Sequence, residues 1–455
     1  SSIHATEREG SSAGGVSKDF TVSAQETTFT SRNLPAIRQD ESYCWCPEDY
    51  KVQVSFDLQG TQFTPNEYKP YSQKWEDVDK QLLKPENTQF GEHLSLTNPF
   101  RPETKQAYNS EMNFEEKIIC AFQVLKKKMA WNGRYQLYSK ELEKVIKKGS
   151  GSNADLNFIL ISILKDFGLE AYPVVMSRRS SGMLPYNFPS LQKLNTFFVA
   201  IHDINKQKYV FLDSSMDVPA FNILPLELSV NKARMLSLKE KEEKKWVNVM
   251  ALSHNKSFMK IDARIEGNQV KGHRSTVLYG QEAIEYQANE NHKQDNLVSN
   301  PENKVSQKEK LTVTNLKVKK QENDWALIEE EFDFVLQADR TDDHLYINPM
   351  LFPQLKSNPF IQTERVLPIE FPYPYKFTML STLTLPEGYE VEELPQSQSI
   401  RSEGDGLQCK YMIQQQGNTI LLNYVFHLKG YIFLSEQYKQ LQELWAKVIE
   451  KNNAL

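Results

Sequence analysis

The spacing of apolar residues changes twice along this chain, dividing it into three parts. In the first part it alternates. Phe20-Thr21-Val22-Ser23, Thr27-Thr28-Phe29-Thr30 and the nine residues from Tyr50 to Leu58 predict strands. The small, polar, glycine-containing residues before about 20 predict a flexible tail, and Asn33-Leu34-Pro35-Ala36-Ile37 an extended connector. From Ser72 the period becomes helical. Trp75, Val78, Leu82 and Leu83 share one face, and Pro85 ends it. Asn113 is placed to cap a further helix, whose Phe114, Ile118, Phe122 and Leu125 form a core stripe. Trp131-Asn132-Gly133-Arg134-Tyr135 interrupts the pattern, and a short helix spans Leu142 to Ile146.

A glycine-rich turn, Gly149 to Asp155, then leads into a helix from Leu156 to Phe167 that is apolar nearly all round, the mark of a buried helix. Gly168 stops it. Ala171 to Met176, Leu194 to Ile201 and Lys208 to Asp213 predict three strands. Beyond Val218-Pro219 alternation returns in Phe258–Ile265, Leu311–Val318, Trp325–Leu336, Lys376–Leu385 and Thr419–Leu428. Glycine turns at Gly267 and Gly417 separate some of these segments, which together predict a β-sandwich. The polar stretch His292 to Lys310 reads as a long loop or a helix end with a mobile tip. Ser435 to Asn452 reads as an amphipathic helix. The balanced charge run Lys239-Glu240-Lys241-Glu242-Glu243-Lys244-Lys245 reads as a solvated linker. The expected fold class is α+β, in three parts: a partial N-terminal β-domain and tail (1–70), a mixed core (71–235) and a C-terminal antiparallel β-sandwich with a terminal helix (236–455).

Composition narrows the classes. At 455 residues, several domains are expected. Net charge is −5 with both signs interspersed, so no nucleic-acid footprint is expected. No run approaches the ~18 apolar residues of a membrane span, and no signal peptide is visible. A start at Ser1 without Met is consistent with a processed or trimmed form. Cys44-Trp45-Cys46 has no matching pair elsewhere, so no zinc site is expected. A bridge between Cys44 and Cys46 would be strained, and Cys120 and Cys409 complete a set of four expected free thiols. No metal or cofactor is expected.

A buried helix followed by three strands, with polar residues at the helix start and on the last two strands, is the layout of a papain-like site. Trp131-Asn132-Gly133, Asn153-Ala154-Asp155-Leu156-Asn157, Ala171-Tyr172-Pro173-Val174, Phe371-Pro372-Tyr373-Pro374-Tyr375 and Leu385-Pro386-Glu387-Gly388-Tyr389 stand in the chain in this order. With Asn33–Ile37 and Glu41-Ser42-Tyr43 ahead of them, the chain resembles the transglutaminase-like envelope proteins of Bacteroidota. The resemblance extends over nearly all of residues 27 to 455. It implies a papain-like transglutaminase core between an N-terminal β-segment and a C-terminal β-domain. The family's N-terminal sandwich is much longer than the segment preceding the core here.

The resemblance also assigns roles. A Cys thiolate opens the central helix as nucleophile, a His serves as base and an Asp orients it. Counting back fifteen residues from Gly168 places Asn153 where the Cys would stand. The His position, after Asn195, holds Thr196, and the Asp is retained as Asp213. An amide is no nucleophile, a threonine no base near neutral pH, and an orienting carboxylate alone does no chemistry. Asp213 reads equally as an inherited site residue or as a strand-end group bonding backbone. Nearby substitutes have plainer readings. Ser152 suits a helix cap with Asp155 closing it, His202 a strand end about 20 Å along from Thr196, and Cys120 a structural thiol.

Arg178 and Arg179 form a basic loop beside the cleft, either solvated or contacting an anion. Tyr186 and Phe188 lie in the loop that would cover it, suited to binding a peptide or glycan or to plain packing. The expected function is therefore a non-catalytic binding or scaffolding subunit in a bacterial cell-envelope complex, periplasmic or outer-membrane-associated, with other envelope or outer-membrane proteins as partners. The alternatives are a peptide- or glycan-capturing accessory of nutrient uptake, and a residual hydrolase or transferase with an unusual nucleophile such as Ser152.

Overall fold

The computed structural model describes residues 2–10, 22–30, 32–34, 36–38, 41–52, 60–64, 67–70, 74–84, 89–139, 141–187, 189–295, 311–321 and 324–455. Its middle part is built on one helix, Asn153–Asp166, in which every residue from Asn153 to Leu164 is buried. The side chains explain this placement. Leu156, Phe158, Ile159, Leu160, Ile161, Ile163 and Leu164 cover the whole circumference, so no face is suited to water. The helices Trp75–Leu83, Gln89–Leu94, Arg101–Ala107 and Phe114–Lys128 lie in the same core cluster. Asn113 caps the last of these, accepting from the Glu116 N–H.

A five-stranded sheet packs against the central helix, in the order Trp246–Val247, Ala233–Met235, Ala171–Met176, Thr196–Asp203, Lys208–Leu212. Its first two strands correct the reading of the charge run. Ala233 pairs with Val247 and Arg234 with Trp246, so the run Lys239–Lys245 connects neighbouring strands of one sheet rather than two domains. Two of its charges are structural. Arg234, fully buried, donates from Nε and Nη2 to the two oxygens of buried Asp79 at 2.6 and 2.7 Å, and from Nη1 to Glu242 at 2.6 Å. Lys245 Nζ donates to Asp79 at 3.0 Å. The Arg234 guanidinium lies 5.6 Å from the Trp75 ring and 5.0 Å from that of Trp246. A balanced charge run looks solvated in sequence because its partner, Asp79, lies far away along the chain.

Beyond Ala251 most strands join a single eight-stranded sheet, ordered Leu311–Gln321, Asp324–Gln337, Gln269–Tyr279, Lys256–Glu266, Tyr375–Thr384, Thr419–Leu428, Leu407–Gln416, Gln398–Arg401. This differs from the expected pair of stacked sheets. All neighbours in it are antiparallel except one pair, Lys256–Glu266 with Tyr375–Thr384, where two antiparallel meanders meet. One face is covered instead by the terminal helix Tyr438–Asn452, whose Tyr438, Leu441, Trp445 and Val448 pack on Met379, Tyr424, Phe426 and their neighbours. A helix replaces the second sheet as the cover for the apolar face, as in layered α+β packing.

The N-terminal part departs further from expectation. Ser2–Gly10 is not a tail; it pairs antiparallel with Val22–Thr30, Ser2 opposite Thr30 and Gly10 opposite Val22. The ladder satisfies backbone groups that composition alone leaves unassigned. The strand expected from Tyr50 begins instead with a 3₁₀ turn, Pro47–Tyr50, whose proline suits a helical first turn. Its continuation, 53–59, lies outside the described residues, as does Phe188. A helix not foreseen, Gln281–Asp295, follows the second sheet strand. Among the described residues no helix is long and apolar enough to cross a membrane. Cys44, Cys46, Cys120 and Cys409 are free thiols.

Candidate functional site

Two glycines aim the central helix. Gly149 ends the preceding short helix in the left-handed region (φ 70°), its N–H returning to Val145 O at 3.0 Å. Gly151 admits no side chain, since a Cβ there would sit 2.5 Å from Val145 and 2.9 Å from Asp155. Asp155 is thereby free to close the cap. Its Oδ2 accepts from Ser152 N and from Ser152 Oγ, each at 2.7 Å, and its own N–H donates back to Ser152 Oγ at 3.3 Å. Ser152 is thus fully engaged as a helix cap.

The three positions singled out in sequence come together behind this cap, and all three are closed to solvent. Asn153 and Thr196 are 0% exposed and Asp213 1%. Asn153 Nδ2 donates to Thr196 Oγ1 at 2.8 Å and to Phe197 O at 3.0 Å, while Oδ1 accepts from Gln136 N at 3.0 Å. Because a backbone N–H can only donate, that last bond assigns the amide orientation. Both amide hydrogens are consumed, and the backbone N–H of Asn153 is held by Arg134 O at 3.0 Å.

One turn along, Asn157 links this pair to Asp213. Its Nδ2 donates to Phe197 O at 2.8 Å and to Asp213 Oδ2 at 2.9 Å, and its Oδ1 accepts from Ser214 N at 3.0 Å and Ser214 Oγ at 2.6 Å. Asp213 Oδ1 accepts from the N–H of Ser215 at 2.9 Å and from its hydroxyl. Tyr135 OH lies 3.5 Å from Ser215 Oγ. Burial lifts the Asp213 carboxyl above its usual range, against the hydrogen bonds from Ser215 and Asn157, which favour the ionised form. The same burial lifts the Tyr135 phenol and lowers Lys126, whose Nζ donates to Ser214 O at 3.2 Å and is partly restored by Asp217 and Asp213.

Asn157, Ser214, Ser215, Gln136 and Lys126 were missed in sequence. The spacing of Asn153 and Asn157, four residues apart on one helix face, was the legible signal for the first of them. Asp213 and Lys126 are held by neighbours, Asp213 by Asn157 and Ser215 and Lys126 by Ser214 O. Asn153 and Thr196 offer neither a thiolate nor a base.

The other candidate residues serve the surrounding framework. Arg178 reaches Glu227 at 3.6 Å and covers the Tyr135 ring at 5.9 Å, while its backbone N–H is held by Asn195 Oδ1 at 2.9 Å. Arg179 joins the core to the C-terminal sheet region. Its guanidinium donates to Phe371 O at 2.7 Å and Pro372 O at 2.8 Å and stacks 4.4 Å from the Trp45 ring. Tyr186 packs on Trp246 at 5.0 Å, under Lys232 Nζ at 4.4 Å, and its carbonyl accepts from Trp75 Nε1 at 2.7 Å. His202 stacks on Tyr209 at 4.9 Å, at the opposite end of its strand from Thr196. Cys120 donates weakly to Ala107 O at 3.6 Å. Among the described residues, no group of three or more His, Cys, Asp or Glu side chains is placed to hold a metal ion.

Comparison with known proteins bears on the fold and on the end of the chain. A family model for a domain of unknown function, DUF3858, matches residues 343–455. That span holds the second meander of the large sheet and the terminal helix, and it leaves the first meander outside. The crystal structure of a candidate protease from Parabacteroides distasonis is similar in fold, with a TM-score of 0.50 at 12% identity over 99% of this chain and 68% of that one. No curated protein matches.

Proposed function

We propose that this chain is a non-catalytic transglutaminase-like protein acting as a binding or scaffolding subunit of a bacterial cell-envelope complex. The observation that carries the proposal is the network at the helix start. Asn153, Thr196 and Asp213 occupy the three positions where the resembled family uses Cys, His and Asp, and all three are buried and hydrogen-bonded. A transamidase or peptidase of this kind needs a thiolate with room for an acyl group in front of it. A buried amide with both hydrogens donated supplies neither. Ser152, the substitute nucleophile, already caps the helix with its hydroxyl donated to Asp155, which argues against the hydrolase reading. The envelope assignment is supported by the sequence resemblance to Bacteroidota envelope proteins and is compatible with the fold shared with the Parabacteroides protein.

The test has two arms. The full chain is assayed for peptide hydrolysis and for glutamine–amine transamidation, beside Asp213→Ala. No turnover is expected from either, and turnover in the wild type that the substitution abolishes overturns the non-catalytic reading. The native organism is fractionated in parallel. Recovery in the periplasm or with the outer membrane, within a complex, is expected; a cytoplasmic monomer overturns the scaffold reading.

A further inference from the structure

The segment Phe371-Pro372-Tyr373-Pro374-Tyr375 plays no part in the site above. Alternating prolines hold it extended, and the aromatic residues at every second position then share a side. All three line a cavity of about 230 Å³ on the inner face of the large sheet. Tyr43, Tyr424 and Trp445 add further rings, and Glu282, on the helix Gln281–Asp295, adds a carboxylate. Exposed Gln354 stands at its rim.

Three buried polar atoms of this lining have no hydrogen-bond partner, Trp445 Nε1, Tyr424 OH and Glu282 Oε2. Trp445 is only 4% exposed. Burial lifts the Glu282 carboxyl above its usual range, against the Ser257 and Tyr375 hydroxyls, which favour its ionised form; those two hydroxyls lie 2.8 Å apart, and Tyr375 OH also donates to Gln354 Oε1 at 3.1 Å. Glu285, three residues on, sets a second carboxylate beside Tyr373. Neither carboxylate has a basic partner among the described residues. A buried carboxylate without a counter-charge is unfavourable, as is an indole N–H without an acceptor.

We propose that this cavity binds a small organic ammonium ion bearing a hydroxyl group, with the cation against the aromatic faces and Glu282, and the hydroxyl oxygen accepting from Trp445 Nε1. Aromatic faces and a carboxylate attract a weakly hydrated cation together. The ligand's hydroxyl oxygen accounts for the indole N–H, a donor that a cation cannot satisfy. The volume is far above the roughly 10–15 Å³ that a single water needs, so it admits a small organic ligand. The site is independent of the Asn153 network and of the proposed scaffold role.

The experiment is calorimetric titration of the full chain with choline, with ethanolamine, and with 3,3-dimethylbutan-1-ol, which has choline's shape without its charge. At least one cation is expected to bind, about tenfold or more tighter than the uncharged isostere. Choline against ethanolamine distinguishes a quaternary from a primary ammonium ion. Glu282→Gln is expected to weaken the cation by a similar factor. Trp445→Phe is expected to weaken choline while leaving tetramethylammonium, which lacks the hydroxyl, unchanged. Absence of binding by both cations in the millimolar range overturns the proposal. So does equal binding of the isostere, a comparison that needs no variant, or cation binding indifferent to Glu282→Gln in a folded protein.

Discussion

Asn153 donates its side-chain amide to Thr196 Oγ1 at 2.8 Å, across the junction between the buried helix and the strand Thr196–Asp203 of the core sheet. In the resembled family this junction is where a thiol would meet its base. Here it is a structural hydrogen bond sealed from solvent. Asn153→Cys removes donors to Thr196 and Phe197 O and an acceptor for Gln136 N. The expected cost is about 1–3 kcal/mol for the buried groups left unpaired, read from urea unfolding. Alkylation mapped by mass spectrometry should find the introduced thiol slow in the native state and fast in denaturant. Equally fast labelling in native buffer would mean that the position is open.

Asp213 gives a pH signature with a definite sign. Burial raises its folded pKa, so the folded chain holds the proton to higher pH than the unfolded chain does. Its contribution to stability is full below the unfolded carboxyl value of ~3.9 and is lost as pH rises through the folded one. Asp213→Asn does not titrate. The stability of the wild type minus that of the variant is therefore expected to fall as pH rises from about 4 toward neutrality. Urea melts across that range measure it, and a difference that grows with pH contradicts the assignment.

Arg179 fastens the core to the C-terminal region through two carbonyls and the Trp45 ring. Arg179→Ala should weaken that contact by roughly 2–4 kcal/mol, the scale of two charged hydrogen bonds. Calorimetry is expected to show a single transition for the wild type and two for the variant, and protease should cut the variant faster near Asn248–Asn255. An unchanged single transition would place the coupling elsewhere.

Asp79 holds two buried cations, Arg234 and Lys245. Asp79→Ala leaves both without their central partner and should cost about 3–5 kcal/mol. Glu242→Ala, at the half-exposed end of the same cluster, should cost about 1 kcal/mol or less. Comparable losses for the two variants in urea unfolding would show that burial does not set the value of these pairs.

The central helix and the three strands after it were legible because their patterns are local. An apolar circumference, a Ser152–Asp155 cap and a stopping Gly168 each act within a few residues. The helix Gln281–Asp295 was not legible because its buried face includes polar residues. Gln281 and Gln287 donate to Leu224 O and Trp325 O, and only those distant carbonyls make their burial tolerable. Arg179 read as solvated or as an anion contact for the same reason: its acceptors, 192 and 193 residues away, are backbone carbonyls that no motif marks.

The sequence by itself determined the elements of the core and singled out Asn153, Thr196 and Asp213, because helix periodicity, caps and residue chemistry are properties of short segments. The tertiary structure alone decided that these three positions are sealed, with Asn157 joining Asn153 and Thr196 to Asp213. It also decided that the C-terminal strands join side by side across a parallel seam under a helix. Burial and strand order are set by which distant surfaces meet, and a pattern confined to one segment carries no record of its partner.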